Sequence, residues 1–473
     1  MRRVATGVLL AAVAGLGGCL APRHERPQAP VPPTYAVADA DAAAAGTPAP
    51  GLGWREFVDD PRLEALIGLA LERNRDLAVA VARVDEARAQ HRIQRSELLP
   101  AVSVTGETSR SRPIFPGGGS GGTTGSPAAI DRYALNATST AFELDFWGRV
   151  RNLTAAARAE YLATVEAERA FRLSLIRDVA AVHLGVLEAD ERIQLAEATV
   201  KAREEGLRIA RRRLDAGVTS ALDYRQSETL LTQAQTELAA LHLAKARNAN
   251  LLATLVGGPL PEGLPAAVPL SRQSKMAAVA PGLPSALLTS RPDVIAAEQR
   301  LRAARANIGA ARAVFFPTIL LTGAYGYASS ELSDLVGSDN RGWTYSGSVD
   351  LPIFRFGRGR AELATAKARE QIAIATYQRT VQTAFQEVAD ALAGRRHLAD
   401  QVAAQERATQ AQRQLASLAR TRYREGVVGY LEVLDAERNL FDAEQALLVV
   451  RRAELENLVA LYVALGGGAI DSR

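Results

Sequence analysis

Between Gly148 and about Leu214 the chain carries no proline, and Leu175, Val179, Val182, Val186, Ala189, Ile193, Ala196 and Val200 fall at alternating steps of four and three residues. That 3.5-residue seam is the pattern of helices packed as a coiled coil, not of a helix resting one face on a globular core. At 1.5 Å per residue a helix over 148–214 would be about 100 Å long. Near the end of the chain Leu434, Phe441, Leu448, Leu455 and Tyr462 recur every seven residues. Charged side chains occupy the remaining faces, so the pattern predicts solvated rods, not apolar membrane helices.

A second pattern has period two. Val102 and Val104 alternate with small polar residues. Tyr133, Leu135 and Ala137 alternate with Asn136 and Thr138. Ile319, Leu321, Tyr325 and Tyr327 alternate with Thr318, Thr322 and Gly326, and Trp343, Tyr345, Val349 and Leu351 with Thr344, Ser346, Ser348 and Asp350. Each stretch is about ten residues, the length of a tilted strand crossing a bilayer with one face to lipid and the other to water. A half-buried soluble sheet has the same period. If the strands do face lipid, four of them cannot close a barrel, and an open edge there leaves unpaired backbone groups costing several kcal/mol each. Closure then demands oligomerisation, and three chains would supply twelve strands.

The two patterns occur twice, in the same order. Ser96-Glu97-Leu98-Leu99-Pro100 corresponds to Ala313-Val314-Phe315-Phe316-Pro317, and Asn74-Arg75-Asp76-Leu77 to Arg291-Pro292-Asp293-Val294, both 217 residues apart. Phe146-Trp147-Gly148-Arg149 corresponds to Arg355-Phe356-Gly357-Arg358, and Arg213–Val218 to Arg422–Val427, both 209 apart. A period near 210 is too long for a solenoid, so the chain reads as two copies of one unit: helix, strand, loop, strand, very long helix, turn, long helix.

Composition narrows the chemistry. The length of 473 residues allows about three ordinary domains. The 56 Lys+Arg against 52 Asp+Glu lack the concentrated positive charge that nucleic acid requires. One cysteine excludes an intrachain disulfide framework, and His24, His91, His183, His242 and His397 show no metal-ligand spacing. His183, within a rod, reads as a packing residue. The Gly117–Gly122 stretch lacks the Lys-Ser/Thr and helix start of a phosphate loop. No nucleophile setting or paired carboxylates stand out, so no catalytic, cofactor-binding or metal residues are expected.

The lone cysteine has a specific context. Met1-Arg2-Arg3 is positive, Val4–Gly15 is mostly apolar and too short to span a bilayer, and Leu16-Gly17-Gly18-Cys19 resembles a bacterial lipobox. Cys19 would then carry a covalent lipid as the first mature residue, and Leu20 in place of Asp points by lipoprotein sorting habit to the outer membrane. The alternative is an ordinary signal peptide that happens to have a cysteine nearby; this cysteine is the only one in the chain and stands at the place the lipobox requires. Residues 22–53 hold seven prolines and cannot bury a core.

The lipobox, Arg291-Pro292-Asp293 with Ala297-Glu298, Phe316-Pro317, Leu351-Pro352-Ile353-Phe354 with Gly357-Arg358, and Arg422-Tyr423 with Gly426 and Leu434-Asp435-Ala436 together resemble the TolC-like outer-membrane efflux channels, nearest the NodT-type lipoproteins of resistance-nodulation-division pumps. The resemblance spans about 54–465. It implies a mixed α and β membrane protein: a homotrimer joining a twelve-stranded β-barrel, four strands per chain, to a twelve-helix coiled-coil barrel crossing the periplasm. On that frame the chain divides into a signal peptide (1–18), a lipidated arm (19–53), first-repeat helices (54–99), a β-hairpin (100–145), a long helical hairpin (146–256), a linker (257–290), a second-repeat helix (291–316), a second β-hairpin (317–354), a second helical hairpin (355–465) and a tail (466–473). The implied activity is passive conduction of drugs or other small molecules, with a periplasmic adaptor, an inner-membrane pump and outer-membrane lipid as partners and no cofactor beyond the lipid on Cys19.

Carried over by position, the helix pairs turn at the periplasmic tip around Gly217 and Gly426. Leu431 and Asp435 would face the pore there, and Arg422 and Tyr423 would hold neighbouring helices together. The first repeat has Leu222 and Gln226 where the second has Leu431 and Asp435, so an acidic ring would have three members. The same charges also read as ordinary solvated helix residues, and Arg208, Arg211, Arg212 and Arg213 as a solvated basic end or a docking patch. A type I secretion conduit, a pore-less coiled-coil adaptor or scaffold lipoprotein, and a tethered enzyme are the competing functions. Of these the scaffold has no need of aromatic, lipid-compatible strand faces.

Overall fold

The computed structural model describes residues 20–33, 35, 47–48, 52–112, 129–273, 279–280 and 287–467. The expected lipid site Cys19, the leader and the Gly117–Gly122 stretch lie outside them. Along the chain run β1 (Thr47–Pro48), α1 (Trp54–Phe57), α2 (Pro61–Arg73), α3 (Arg75–Ser96), β2 (Ser103–Ser111), β3 (Ile130–Glu143), α4 (Arg149–Asp215) and α5 (Ala221–Val256). There follow β4 (Val279–Ala280), α6 (Leu287–Ser290), α7 (Pro292–Ala313), β5 (Thr318–Ser329), β6 (Arg341–Asp350), α8 (Arg358–Arg424) and α9 (Tyr430–Ala464). The chain forms two compact units, one from residues 1–27, 85–163 and 298–376, the other from 28–84, 164–297 and 377–473.

The first unit contains an antiparallel sheet in the order β2-β3-β5-β6. Its register places Val104, Ala137, Tyr325 and Trp343 in one row across all four strands. Gly106, Leu135 and Tyr327 line up in the next row, which ends on Arg341 at the start of β6, and Leu321, Gly323, Tyr345, Gly347 and Val349 continue that face away from it. The opposite face carries Ser103, Thr105, Asn136, Thr138, Thr322, Thr344 and Ser346. Val104, Leu135, Tyr325, Trp343, Tyr345 and Val349 are all exposed. One face is therefore continuous, apolar and uncovered, which water alone would not favour. Among the described residues both edges, β2 and β6, end the ladder without a neighbour.

Simple alternation does not carry β3 to its end. Between Ser139 and Phe142 the register against β5 slips by one residue, and Ala141 takes a left-handed φ of 53°. Its amide donates to the Thr322 hydroxyl at 3.1 Å. The bulge returns Phe142 to the apolar face opposite Leu321. Beyond it Trp147 stacks on Phe316, ring centroids 4.7 Å apart, and its indole Nε1 donates to the Pro317 carbonyl at 2.8 Å.

Also in this unit, Ala156 and Ala159 of α4 pack on Ala303 and Ala306 of α7. A Cβ at Gly309 would come within 2.6 Å of Asn152 Nδ2 and 2.9 Å of Ala21 Cβ, so this close approach requires glycine. The start of the described chain lies against α7. Arg312 donates to the Leu20 carbonyl at 2.7 Å, Arg305 to the Glu25 carbonyl at 2.6 Å, and Glu298 accepts from Arg26 at 2.8 Å with His24 Nε2 at 3.0 Å.

The second unit holds the main apolar core. Leu63, Leu66 and Ile67 of α2, Leu175, Ile176 and Val179 of α4, Tyr377, Val381 and Val388 of α8, and Val459 and Tyr462 of α9 are buried together. Phe57 stacks on Tyr462 at 4.1 Å. The 3.5-residue seam is inward throughout: Leu175, Val179, Ala189, Ile193 and Ala196 are buried and Val182, Val186 and Val200 partly so. At the edge of this core Asp60 caps α2, accepting from the amides of Arg62 and Leu63. It also takes Gln273 Nε2 at 2.8 Å, with His183 Nε2 at 3.2 Å. Burial alone would raise this carboxyl, but the bonds from His183 and Gln273 outweigh it and hold its pKa at about 2. His183 is thus buried and bonded to a carboxylate instead of being a purely apolar packing residue.

Candidate functional site at the paired turns

Both long rods end in the same way. After α4, Gly217 adopts φ 71°, its amide donates to the Leu214 carbonyl, and Val218 donates to Arg213. After α8, Gly426 adopts φ 75°, its amide donates to Tyr423, and Val427 donates to Arg422. These are helix C-termini closed by a left-handed glycine, where a Cβ would be strained. Val218 and Val427, next along, are exposed.

The following helices start differently. Ser220 and Asp223 form a reciprocal capping box on α5, and Thr219 Oγ1 donates to Asp223 Oδ2 at 2.7 Å. Thr219 and the capping serine hold the Asp223 carboxyl below its ordinary range, with only slight opposition from burial. Helix α9 begins at Gly429 with no side-chain cap.

Of the four residues expected at the tip, Tyr423 makes the longest sequence connection. Its hydroxyl accepts from Arg213, 210 positions earlier, and the same guanidinium lies 5.7 Å from the ring centroid. Tyr423 also packs on Tyr430, centroids 5.2 Å apart. Burial pushes the Tyr430 hydroxyl upward. Arg422 pairs with Glu432 at 2.7 Å, tying the end of α8 to the start of α9. Asp435 pairs with Arg438 at 3.3 Å on its own helix, and Leu431 is exposed. Within one chain the structure brings Tyr423 to Arg213 but does not bring Arg422 to Asp435.

Sequence pattern alone does not mark Arg213, Tyr430 or Glu432 as partners, although Arg213 is the repeat equivalent of Arg422. Two of the arginines near Arg213 are engaged locally, Arg208 with Glu205 and Arg211 with Asp215 at 3.2 Å. These contacts are half-exposed ion pairs and ring contacts, suited to holding a conformation that can be released. Among the described residues no group of three His, Cys, Asp or Glu side chains could hold a metal ion, and no helix is long and apolar enough to cross a membrane.

The family model described as outer membrane efflux protein matches residues 66–258 and 283–467. A toluene efflux pump outer membrane protein, TtgC of Pseudomonas putida, is 42% identical over 463 residues, covering 96% of this chain and 93% of the relative. The cation efflux system protein CusC of Escherichia coli is 38% identical, covering 96% of each. The open-state MtrE outer membrane channel of Neisseria gonorrhoeae superposes with a TM-score of 0.85 at 38% identity, over 95% of this chain and 98% of that one.

Proposed function

We propose, from the premise that this chain belongs to the outer membrane efflux protein family, that three copies assemble into one channel serving a tripartite efflux pump. The observation that carries this reading is the sheet: four strands with a continuous apolar face and two unpaired edges. Such a sheet is unsatisfied both in water and in lipid unless further strands complete it. Twelve strands from three chains would enclose an aqueous lumen lined by the Ser/Thr/Asn face.

The protein resides in the outer membrane and does not drive transport itself. An inner-membrane pump of the resistance-nodulation-division type, joined through a periplasmic adaptor, loads cargo that the channel passes on. The relatives are named for toluene and for cation efflux, and the shared channel architecture supports a cargo chosen by the pump. The sequence carries only Met1 and Met276, so a methionine-based metal path through this channel has no support. Cys19, with its lipobox, carries an acyl anchor.

At the tips, the Arg213–Tyr423 and Arg422–Glu432 contacts hold the resting helices, and Leu431 and Asp435 line the constriction. In planar bilayers the detergent-extracted trimer is expected to show low basal conductance, and Asp435→Ala or Arg422→Ala to raise it. Unchanged closed-state conductance removes those two residues from the gate. A monomeric protein with no conductance overturns the channel reading itself.

A further inference from the structure

Within one chain the two repeats meet along β3 and β5, and that seam has a definite form. Phe142 stands opposite Leu321 and Ser139 opposite Gly323. The Leu144 amide donates to the Ile319 carbonyl at 2.8 Å. Trp147 then closes the corner over Phe316 and Pro317. Duplication supplies the equivalent of every one of these residues. Leu99 and Pro100 stand for Phe316 and Pro317, Val104 for Leu321, and Phe356 for Trp147.

The strand registers test that equivalence independently. Pairing β2 with β3 and β5 with β6 makes Leu135 the counterpart of Tyr345, 210 residues on. The Phe-Trp-Gly-Arg match after the strands gives 209. The one-residue discrepancy is the Ala141 bulge, which β3 has and β6 lacks.

In the isolated chain the counterparts are far from satisfied. Phe356 is 92% exposed and Leu99 72% exposed, while Val104, Val349 and Leu351 are also uncovered. Phe356 holds a left-handed φ of 46°, which Trp147 does not. The corner that lacks its next repeat is the corner left open.

We propose that β6 of one copy pairs antiparallel with β2 of the next in a single unbroken register: Leu351 opposite the partner's Val104, Val349 opposite the partner's Gly106, Gly347 opposite the partner's Thr108 and Tyr345 opposite the partner's Arg110. Phe356 covers the partner's Leu99 and Pro100. The occupant of this surface is a second copy of the chain, since the within-chain seam is the template. This register puts Leu351 and Val349 on the same face as Val104 and Gly106, keeping the apolar belt continuous; a slip of one residue would turn it inside out. Unlike β3–β5, the seam between copies contains no bulge. The inference rests on the trimer reading and adds to it the identity of the paired residues.

The test uses the full chain in outer membranes, with Leu351→Cys and Val104→Cys combined. Within one chain Val104 shares its row with Trp343, so Leu351 lies three strand spacings, about 14 Å, across the sheet from it and eight residues further along, too far for a disulfide within a chain. Both are exposed, so the substitutions leave the fold intact. Mild oxidation is expected to give reducible covalent multimers up to trimers in denaturing gels. Neither single variant, nor Leu351→Cys with Thr108→Cys, should do so. Linkage of the Thr108 pair instead, or of neither pair in protein that light scattering shows to be trimeric, overturns the register and leaves the trimer standing. A monomer by light scattering overturns both. Phe356→Ala is expected to lower by several degrees the temperature at which the multimers separate, and an unchanged temperature removes that ring from the seam.

Discussion

Two polar clusters in the second unit use the same kinds of bond and differ in burial. Asp60 and His183 have side chains only 2% and 1% exposed and lie 3.2 Å apart, whereas Arg422 and Glu432, at 2.7 Å, are 51% and 46% exposed. Water competes at the second site and is excluded from the first. An exposed ion pair contributes roughly 0–1 kcal/mol, but a buried charged group stripped of its partners costs about 3–5 kcal/mol. The Asp60 cluster therefore fixes α2, α4 and the 257–273 segment in one arrangement, and the turns keep contacts that can part cheaply. Bond length says little about which is which.

The largest effect should come from breaking the buried side of that contrast. Asp60→Ala removes a helix cap and leaves His183 and Gln273 without their acceptor, and should cost about 3 kcal/mol, read as a clear drop in thermal unfolding temperature. The same carboxylate sets an acid limit. Its folded pKa of about 2 lies below the usual carboxylate value of about 3.9, so its stabilisation is complete above that value and is lost as pH falls toward 2. Asp60→Asn should flatten the unfolding temperature between pH 4 and pH 2; an unchanged slope would assign the acid response to other groups.

Next comes the bond from turn to turn between Arg213 and Tyr423. Tyr423→Ala removes the acceptor of Arg213 and the packing on Tyr430, and amide exchange over 422–432 should accelerate on the order of tenfold, the equivalent of about 1.4 kcal/mol. Exchange over 213–223, which has its own capping box, should change less. Equal acceleration of both turns would show that the first also depends on this bond. The smallest effect should follow from Gly429→Ser, which creates with Glu432 the Ser-x-x-Glu pattern of a capping box and should slow exchange at the start of α9 by a few tenths of a kcal/mol. No slowing would mean that Glu432 stays with Arg422.

How much of this was legible beforehand depends on the range of the interaction. The coiled-coil seam and the alternating strands follow from periodicity, because burial of a face is repeated at every turn or every second residue. The four-stranded sheet, open in a single chain, follows from that alternation together with the count of strands. Ala141 was not legible: a bulge adds one residue to a strand without disturbing composition, and only the mismatch between the 210 and 209 offsets records it. Nor was the bond from Arg213 to Tyr423, which joins residues far apart in sequence and depends on how two rods lie side by side. The cap at Asp60 was within reach, as Asp before Pro61 at a helix start, but its bond to His183 was not.

The segment just after Cys19 lies along α7, with Leu20 accepting from Arg312 and Arg26 donating to Glu298. These partners are separated by 292 and 272 residues. The stretch from Leu20 to Arg26 therefore cannot make these bonds until residues 298–312 have been synthesised.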